Sequence, residues 1–212
     1  MFPENMSEEK DLNNSESFIC NNTRGGKEQS LTLYNSRFRR LMIFIDGGNL
    51  FHGARSLEIE VDYRKLIKFL SKDYSLIRVY YYTGVETRRV WDRDKEEFEK
   101  KVSKQKSFLN FLSMKLNIDV VTKPLGNING KIFEKGIDVR IASDIIWHGL
   151  SDNYDAFVLI SGDKDLMDCL SRMKDNGKRV IVANFDGRIS RELKRIADEY
   201  ISLNEYLKEM RR

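Results

Sequence analysis

The chain has 212 residues and a formal net charge of +4, with 41% hydrophobic and 33% charged side chains. That length holds one globular domain with a full core plus tails, and the mild positive charge permits a nucleic-acid partner without requiring one. No apolar run approaches the ~20 residues needed to cross a bilayer. The N-terminus lacks the basic-then-apolar layout of a signal peptide, so a cytoplasmic protein without membrane contact is expected. Only Cys20, Cys169, His52 and His148 are available to soft-metal or disulfide chemistry, too few for a disulfide framework or a zinc site.

Residues 1–38 are rich in Asn, Ser and Glu, with a Gly25-Gly26 pair. Such a segment cannot bury enough apolar surface to offset its ordering entropy and reads as a disordered polar tail. Met42–Asp46 is a continuous apolar run, the pattern of a strand covered on both faces. Asp62 is placed to cap a helix whose apolar stripe falls at Tyr63, Leu66, Ile67 and Leu70. Leu76–Thr83 reads as a second strand. Trp91 to about Leu116 reads as a long charged helix supported by the pairs Glu96–Lys100 and Glu97–Lys101.

A third strand is expected at Ile118–Val121, stopped by Pro124, and Asn127-Ile128-Asn129-Gly130 reads as the turn of a hairpin closing near Phe133. Gly136 opens a helix running to about His148, with Ile137, Ile141, Ile145 and Ile146 on its apolar side. Ala156–Ile160 is a fourth strand, Leu166–Lys174 a helix stopped at Asn176-Gly177, and Arg179–Ala183 a fifth strand. A helix over Ser190–Ala197, a strand or extended segment at Tyr200-Ile201 and a polar terminal helix over 204–212 complete the chain. Strict alternation over residues 39–203 predicts a three-layer α/β/α Rossmann-like domain with a mainly parallel sheet of about five strands.

Two of these strands end in carboxylates. Asp46-Gly47-Gly48-Asn49 follows the first, and Ser161-Gly162-Asp163-Lys164-Asp165 follows the fourth. In sheets of this class the first and fourth strands are often neighbours where strand order reverses, and ligands bind outside the strand tips at that point. Asp138, in the first turn of the Gly136 helix, is placed to face the same crevice. Carboxylates gathered there repel one another unless a cation neutralises them. Hard oxygen donors suit Mg²⁺ or Mn²⁺, the ions of phosphodiester hydrolysis. Each aspartate taken singly also reads as a helix cap or turn residue; the coincidence of three at one end of the sheet is what points to chemistry.

Phe44-Ile45-Asp46-Gly47-Gly48-Asn49-Leu50, Lys135-Gly136-Ile137-Asp138-Val139 with Ala142 and Asp144, and Ser161-Gly162-Asp163-Lys164-Asp165-Leu166 occur in an order that resembles NYN domains, the LabA-like members of the PIN-like nuclease superfamily. The resemblance covers about residues 40–202 and implies a PIN-type fold and a Mg²⁺- or Mn²⁺-dependent ribonuclease site. It implies Asp46 and Asp163 as direct metal ligands, and Asp138 and Asp165 as holding metal-bound waters or a second ion. Asn49 is expected to hydrogen-bond a phosphate oxygen or Asp46, and Ser161 a carboxylate or the scissile phosphate. Lys135, just ahead of Asp138, is expected to contact substrate. Asp144 lies about 240° round the helix from Asp138, so the two cannot both point into one site, and it reads as a supporting or packing group. The chain departs from the family pattern at Gly48, where many relatives carry an acidic residue, and at Leu166, where Phe is common.

The expected partner is RNA; a homodimer is plausible for the superfamily, with no interface stripe to place it. Basic groups fall at Lys123, Lys131, Lys135 and Arg140 and again at Arg188, Arg191, Lys194 and Arg195, while Arg88-Arg89-Val90-Trp91 adds a ring able to stack a base. Glu86–Lys106 carries both signs throughout and reads as an exposed salt-bridged helix. The alternative of another class is a PIN-like module that grips RNA or a protein without cutting. A haloacid-dehalogenase nucleophile lacks its second aspartate, since that position is Gly48. A dinucleotide site lacks the spaced glycines and would set Asp46 against a pyrophosphate.

Overall fold

The computed structural model describes residues 40–86, 95–128, 131–133, 135–204 and 207. The N-terminal tail, Arg88–Trp91 and most of the expected terminal helix lie outside these. Eight strands and six helices follow in chain order among the described residues: β1 (Arg40–Asp46), α1 (Gly47–Ser56), α2 (Tyr63–Leu70), β2 (Ser75–Val85), α3 (Lys95–Leu116), β3 (Asp119–Pro124), β4 (Gly126–Ile128), β5 (Lys131–Phe133), α4 (Ile137–Leu150), β6 (Ala156–Ile160), α5 (Met167–Asp175), β7 (Arg179–Asn184), α6 (Arg191–Ile196) and β8 (Glu199–Ser202). A 3₁₀ turn, Lys164–Leu166, leads into α5. The sheet order is β3-β2-β1-β6-β7-β8, parallel throughout, and β4-β5 form a separate antiparallel ribbon.

The order therefore reverses between β1 and β6. Strands β1 to β3 step one way from that point and β6 to β8 the other, which places the crevice of this fold class at the tips of β1 and β6. Alternate residues of β1 feed opposite layers. Leu41, Ile43 and Ile45 pack with Leu50 of α1, Leu66 of α2 and Leu112 of α3. Met42 and Phe44 pack with Ile137, Ile141 and Ile145 of α4 and Leu170 of α5. Each fully buried aliphatic contributes about 1.5–3 kcal/mol by leaving water, and this double-sided burial is why β1 and β6 are apolar at every central position.

Four differences from the sequence reading have identifiable causes. The first is α1, a whole helix where a turn after β1 was expected. Two glycines at its start argue against a helix, but Asp46 caps it: the Asn49 N–H donates to Asp46 Oδ1 at 2.9 Å. Gly47 is demanded by space, since a Cβ there would lie 2.5 Å from the Tyr81 ring and 2.7 Å from the Tyr82 carbonyl oxygen. Second, β3 runs through Pro124, which pairs with Val85; β3 is an edge strand, where a missing N–H is tolerated. Third, Glu199–Ser202 pairs with β7 as a sixth sheet strand, short and only half-buried, so it lacks the apolar run that marks the central ones. Fourth, α3 does not only mix charges on its own surface: Lys101 reaches Glu86 at 2.6 Å.

Other expectations stand. Asp62 accepts from the Arg64 and Lys65 N–H groups at the start of α2, and Gly136 opens α4 in the left-handed region at φ 73°, which a glycine adopts without penalty. Among the described residues no helix is long and apolar enough to cross a membrane.

Candidate active site

Strand register builds the centre of the site. Ile45 pairs with Ile160, so Asp46 and Ser161 emerge side by side from adjacent strand tips. Ser161 is fully buried. Its hydroxyl donates to Asp46 Oδ2 at 3.0 Å and accepts from the Asp163 N–H at 3.2 Å. One side chain thus orients the first carboxylate and the backbone that carries the second. Asp163 in turn caps the 3₁₀ turn, its Oδ1 accepting from the Asp165 N–H at 3.0 Å. The capping role foreseen for Asp163 is present, and Asp46, read as part of a turn, caps α1 as well. A carboxylate has about four lone-pair positions, so capping leaves each with acceptor capacity.

A residue absent from the sequence reading holds the other side. Asn184, at the tip of β7, is fully buried. Its Oδ1 accepts from the Phe185 N–H at 2.8 Å, and its Nδ2 donates to the Arg188 carbonyl and to Asn49 Oδ1, both at 3.0 Å. The backbone partners fix the amide orientation, because Phe185 N can only donate and Arg188 O can only accept. Asn49's carbonyl is therefore occupied, and what its side chain can offer a ligand is the N–H₂. Asn184 also ties the loop carrying Arg188 to α1. Gly162 completes this contact: a Cβ there would lie 1.7 Å from Arg188 O. The clue in the sequence was an amide closing the apolar run Val180-Ile181-Val182-Ala183.

Asp46, Asn49 and Asp163 open into a crevice of about 1720 Å³, flanked by Arg55, Lys101, Lys104 and Arg188. Its size exceeds the ~300–1,000 Å³ of ordinary small-molecule sites and suits a segment of polymer. The segment read as a salt-bridged helix therefore turns one face, with Lys101 and Lys104, to the crevice. Gln105 of that face donates to the Gly84 carbonyl at 2.8 Å. Arg55 and Lys104 had no signal of their own in the sequence; they are brought in by tertiary packing alone. His52 also lines the crevice.

The remaining expected residues stand apart from this lining. Asp138 sits half-buried in the first turn of α4, Asp165 is exposed in the 3₁₀ turn, and Lys135 is exposed just before α4. Helix α4 packs on β1, β2 and the 3₁₀ turn. Asp144 points elsewhere, accepting from Tyr82 OH at 3.0 Å and from Arg140 Nε at 2.8 Å. Burial, and then the Asp144 charge, hold the Tyr82 hydroxyl well above its ordinary range, so it stays a proton donor to Asp144. Arg140, counted among the basic groups, is thus spent on Asp144.

Among the described residues no three His, Cys, Asp or Glu side chains gather closely enough to hold a metal ion between them. The described residues do not offer a tight all-protein cage. Mg²⁺, however, keeps several waters and is held by one or two carboxylates plus substrate phosphate. The Asp46–Asp163 pair, hard in its donor atoms and fixed through Ser161, fits that kind of site.

The NYN domain family model matches residues 40–204. The low amplitude and bright protein LabA of Synechococcus elongatus is 29% identical over 174 residues, which cover 78% of this chain and 84% of that protein. The crystal structure of a protein of unknown function from Vibrio parahaemolyticus superposes with a TM-score of 0.64 at 19% identity, over 82% of this chain and 97% of that one. This last likeness is one of fold alone. With strand order, acidic strand tips and family match in agreement, the chain belongs to the NYN domain family.

Proposed function

We propose that this protein is a metal-dependent ribonuclease that hydrolyses RNA phosphodiester bonds at Asp46 and Asp163. The observation that carries the reading is the pair of aspartates on adjacent strand tips, joined through buried Ser161 at the mouth of an open crevice flanked by cations. RNA is the substrate implied by the family resemblance. Asp46 and Asp163 would hold Mg²⁺ or Mn²⁺, which would supply Lewis acidity to phosphodiester hydrolysis.

The chain's own groups do the rest. Ser161 holds Asp46 in one rotamer and fixes the Asp163 backbone, so neither carboxylate needs to be ordered when substrate arrives. Asn49 offers its amide N–H₂ to a non-bridging phosphate oxygen. Arg55, Lys104 and Arg188 neutralise neighbouring phosphates, each contact steepening the salt dependence of binding. Asp138 and Asp165 are assigned to waters around the metal, and Lys135 to the flanking backbone of the RNA. Asp144, bonded to Tyr82 and Arg140, sets how α4 presents Asp138.

The test is cleavage of a labelled mixed-sequence single-stranded RNA in Mn²⁺, Mg²⁺ or EDTA, with Asp163→Asn beside the wild type. Asparagine retains the Oδ1 that caps the 3₁₀ turn, so the variant folds while losing the charge. Metal-dependent cleavage that disappears in the variant supports the proposal; cleavage at the wild-type rate refutes it. A second reading, a module that binds RNA without cutting it, is favoured by the lack of a three-carboxylate cluster among the described residues. Tight binding unaffected by EDTA, with no cleavage in either metal, selects it.

A further inference from the structure

Beside the crevice lies a second cavity, of about 1210 Å³, between α3 and the segment joining α1 to α2. It is contiguous with the crevice: Phe51, Arg55, Tyr81 and Phe108 line both. Its floor is aromatic. Tyr63, Tyr81 and Phe108 form a closed trio with ring centroids 5.6–5.9 Å apart. Two further rings are left partly in solvent, Phe51 at 54% exposed and Phe111 at 41%. Phe108 and Phe111 are three residues apart on α3, so they share a face. Phe51 lies two residues beyond Asn49 on α1, at the junction of the two cavities.

Charge decides which part of a ligand enters. The groove carries Glu58, Glu60 and Asp62 against Arg64, with Arg55 at the boundary it shares with the crevice. Those carboxylates repel a phosphate, while Arg55 attracts one at the junction. A ligand that threads both spaces must therefore keep its anionic backbone on the crevice side and turn an uncharged flat group into the groove. The exposed rings supply the matching surface, because any nucleobase presents a π-face and stacking on an aromatic side chain is tolerant of sequence.

We propose that this groove is a nucleobase-binding site for single-stranded RNA. An unpaired base adjacent to the scissile region leaves the crevice past Phe51, stacks on the exposed ring and enters the space bounded by Phe111, while its phosphate stays at Arg55. The cavity volume accommodates one base and its neighbour; a base held in a duplex cannot enter. The inference rests on the crevice being the RNA site, and it gives that site a preference for unpaired strands.

The test uses an oligoribonucleotide carrying a single 2-aminopurine, whose fluorescence falls on stacking, with the full chain in EDTA so that no cleavage intervenes. Phe51→Ala and Phe111→Ala are expected to weaken binding about tenfold, within the range for loss of one stacked base, and to abolish the quench. Phe51→Trp is expected to restore both. Met114→Ala, on an α3 residue that lines neither cavity and is 81% exposed, serves as the control. Thermal melts accompany each variant, and if one alanine variant fails to fold the other carries the readout.

Wild-type affinity and quench in both alanine variants, or an equal loss in Met114→Ala, overturn the inference. Binding that depends on Phe51 in a protein that never cleaves would leave the base site standing and refute the nuclease reading. Cleavage by wild type with Phe51 irrelevant to binding does the reverse. No RNA binding by the wild type removes both.

Discussion

Asn184 offers the sharpest probe of how the site is held, because its one buried side chain makes three hydrogen bonds. Replacing it with alanine strands the Phe185 N–H, the Arg188 carbonyl and Asn49 Oδ1. At about 0.5–1.5 kcal/mol for each lost bond, the loss comes to about 2–4 kcal/mol, the buried Phe185 N–H taking the largest share. Asn184→Asp is the more discriminating change. It preserves shape and the bond from Phe185, yet turns a donor into an acceptor facing two oxygens. The introduced carboxyl is therefore harder to ionise folded than unfolded. Between the unfolded value of about 3.9 and the raised folded one, the native state binds the extra proton, and stability falls as pH rises. Urea unfolding at about pH 5 and about pH 8 should show the gap between Asn184→Asp and wild type widening at the higher pH, while that of Asn184→Ala stays level. A gap that is constant or narrows, or an alanine variant within about 0.5 kcal/mol of wild type, would refute the account.

Removing the Ser161 hydroxyl (Ser161→Ala) should cost about 1.5–3 kcal/mol by loss of a bond to a carboxylate, and should raise the Mn²⁺ concentration needed for cleavage about 10- to 100-fold, as expected for a group that orients a metal ligand. A Mn²⁺ titration of cleavage measures the second effect. Gly162→Ala places a Cβ 1.7 Å from the Arg188 carbonyl oxygen, so the loop must move; a loss of about 3 kcal/mol or more by thermal melt, with cleavage abolished, is the expected result. His148 has its pKa lowered, chiefly by burial and against the opposing charge of Asp144, with Asn153 Nδ2 3.0 Å from Nδ1 and Tyr80 OH 3.0 Å from Nε2. The folded state therefore favours the neutral ring: this contribution is complete above the unfolded value of about 6.5 and is lost as pH falls through it toward the folded one. In His148→Gln the slope of stability against pH below about pH 7 should be shallower than in wild type, as chemical denaturation at a series of pH values would read.

Patterns confined to a few residues determined much of this protein in advance. Continuous apolar runs at Met42–Asp46 and Ala156–Ile160 announce strands covered on both faces, because only there does every side chain leave water. Asp62 and Gly136 announce helix starts through local backbone chemistry, and the aspartates at two strand tips mark the crevice end of the sheet. These signals act within a helical turn or a strand, so the order of residues alone carries them. Tertiary structure decided what depends on residues far apart in the chain. It makes a helix of Gly47–Ser56 despite two glycines, because burial of Leu50 and Ala54 and the Asp46 cap outweigh propensity. It pairs Glu199–Ser202 as an edge strand that buries too little to leave a pattern. It gathers Arg55, Lys104 and Arg188 around the crevice, and brings Asn184 within reach of Asn49 across 135 positions of sequence. A polar side chain buried far from its partner leaves no period to read, because its partner is chosen by the path of the whole chain.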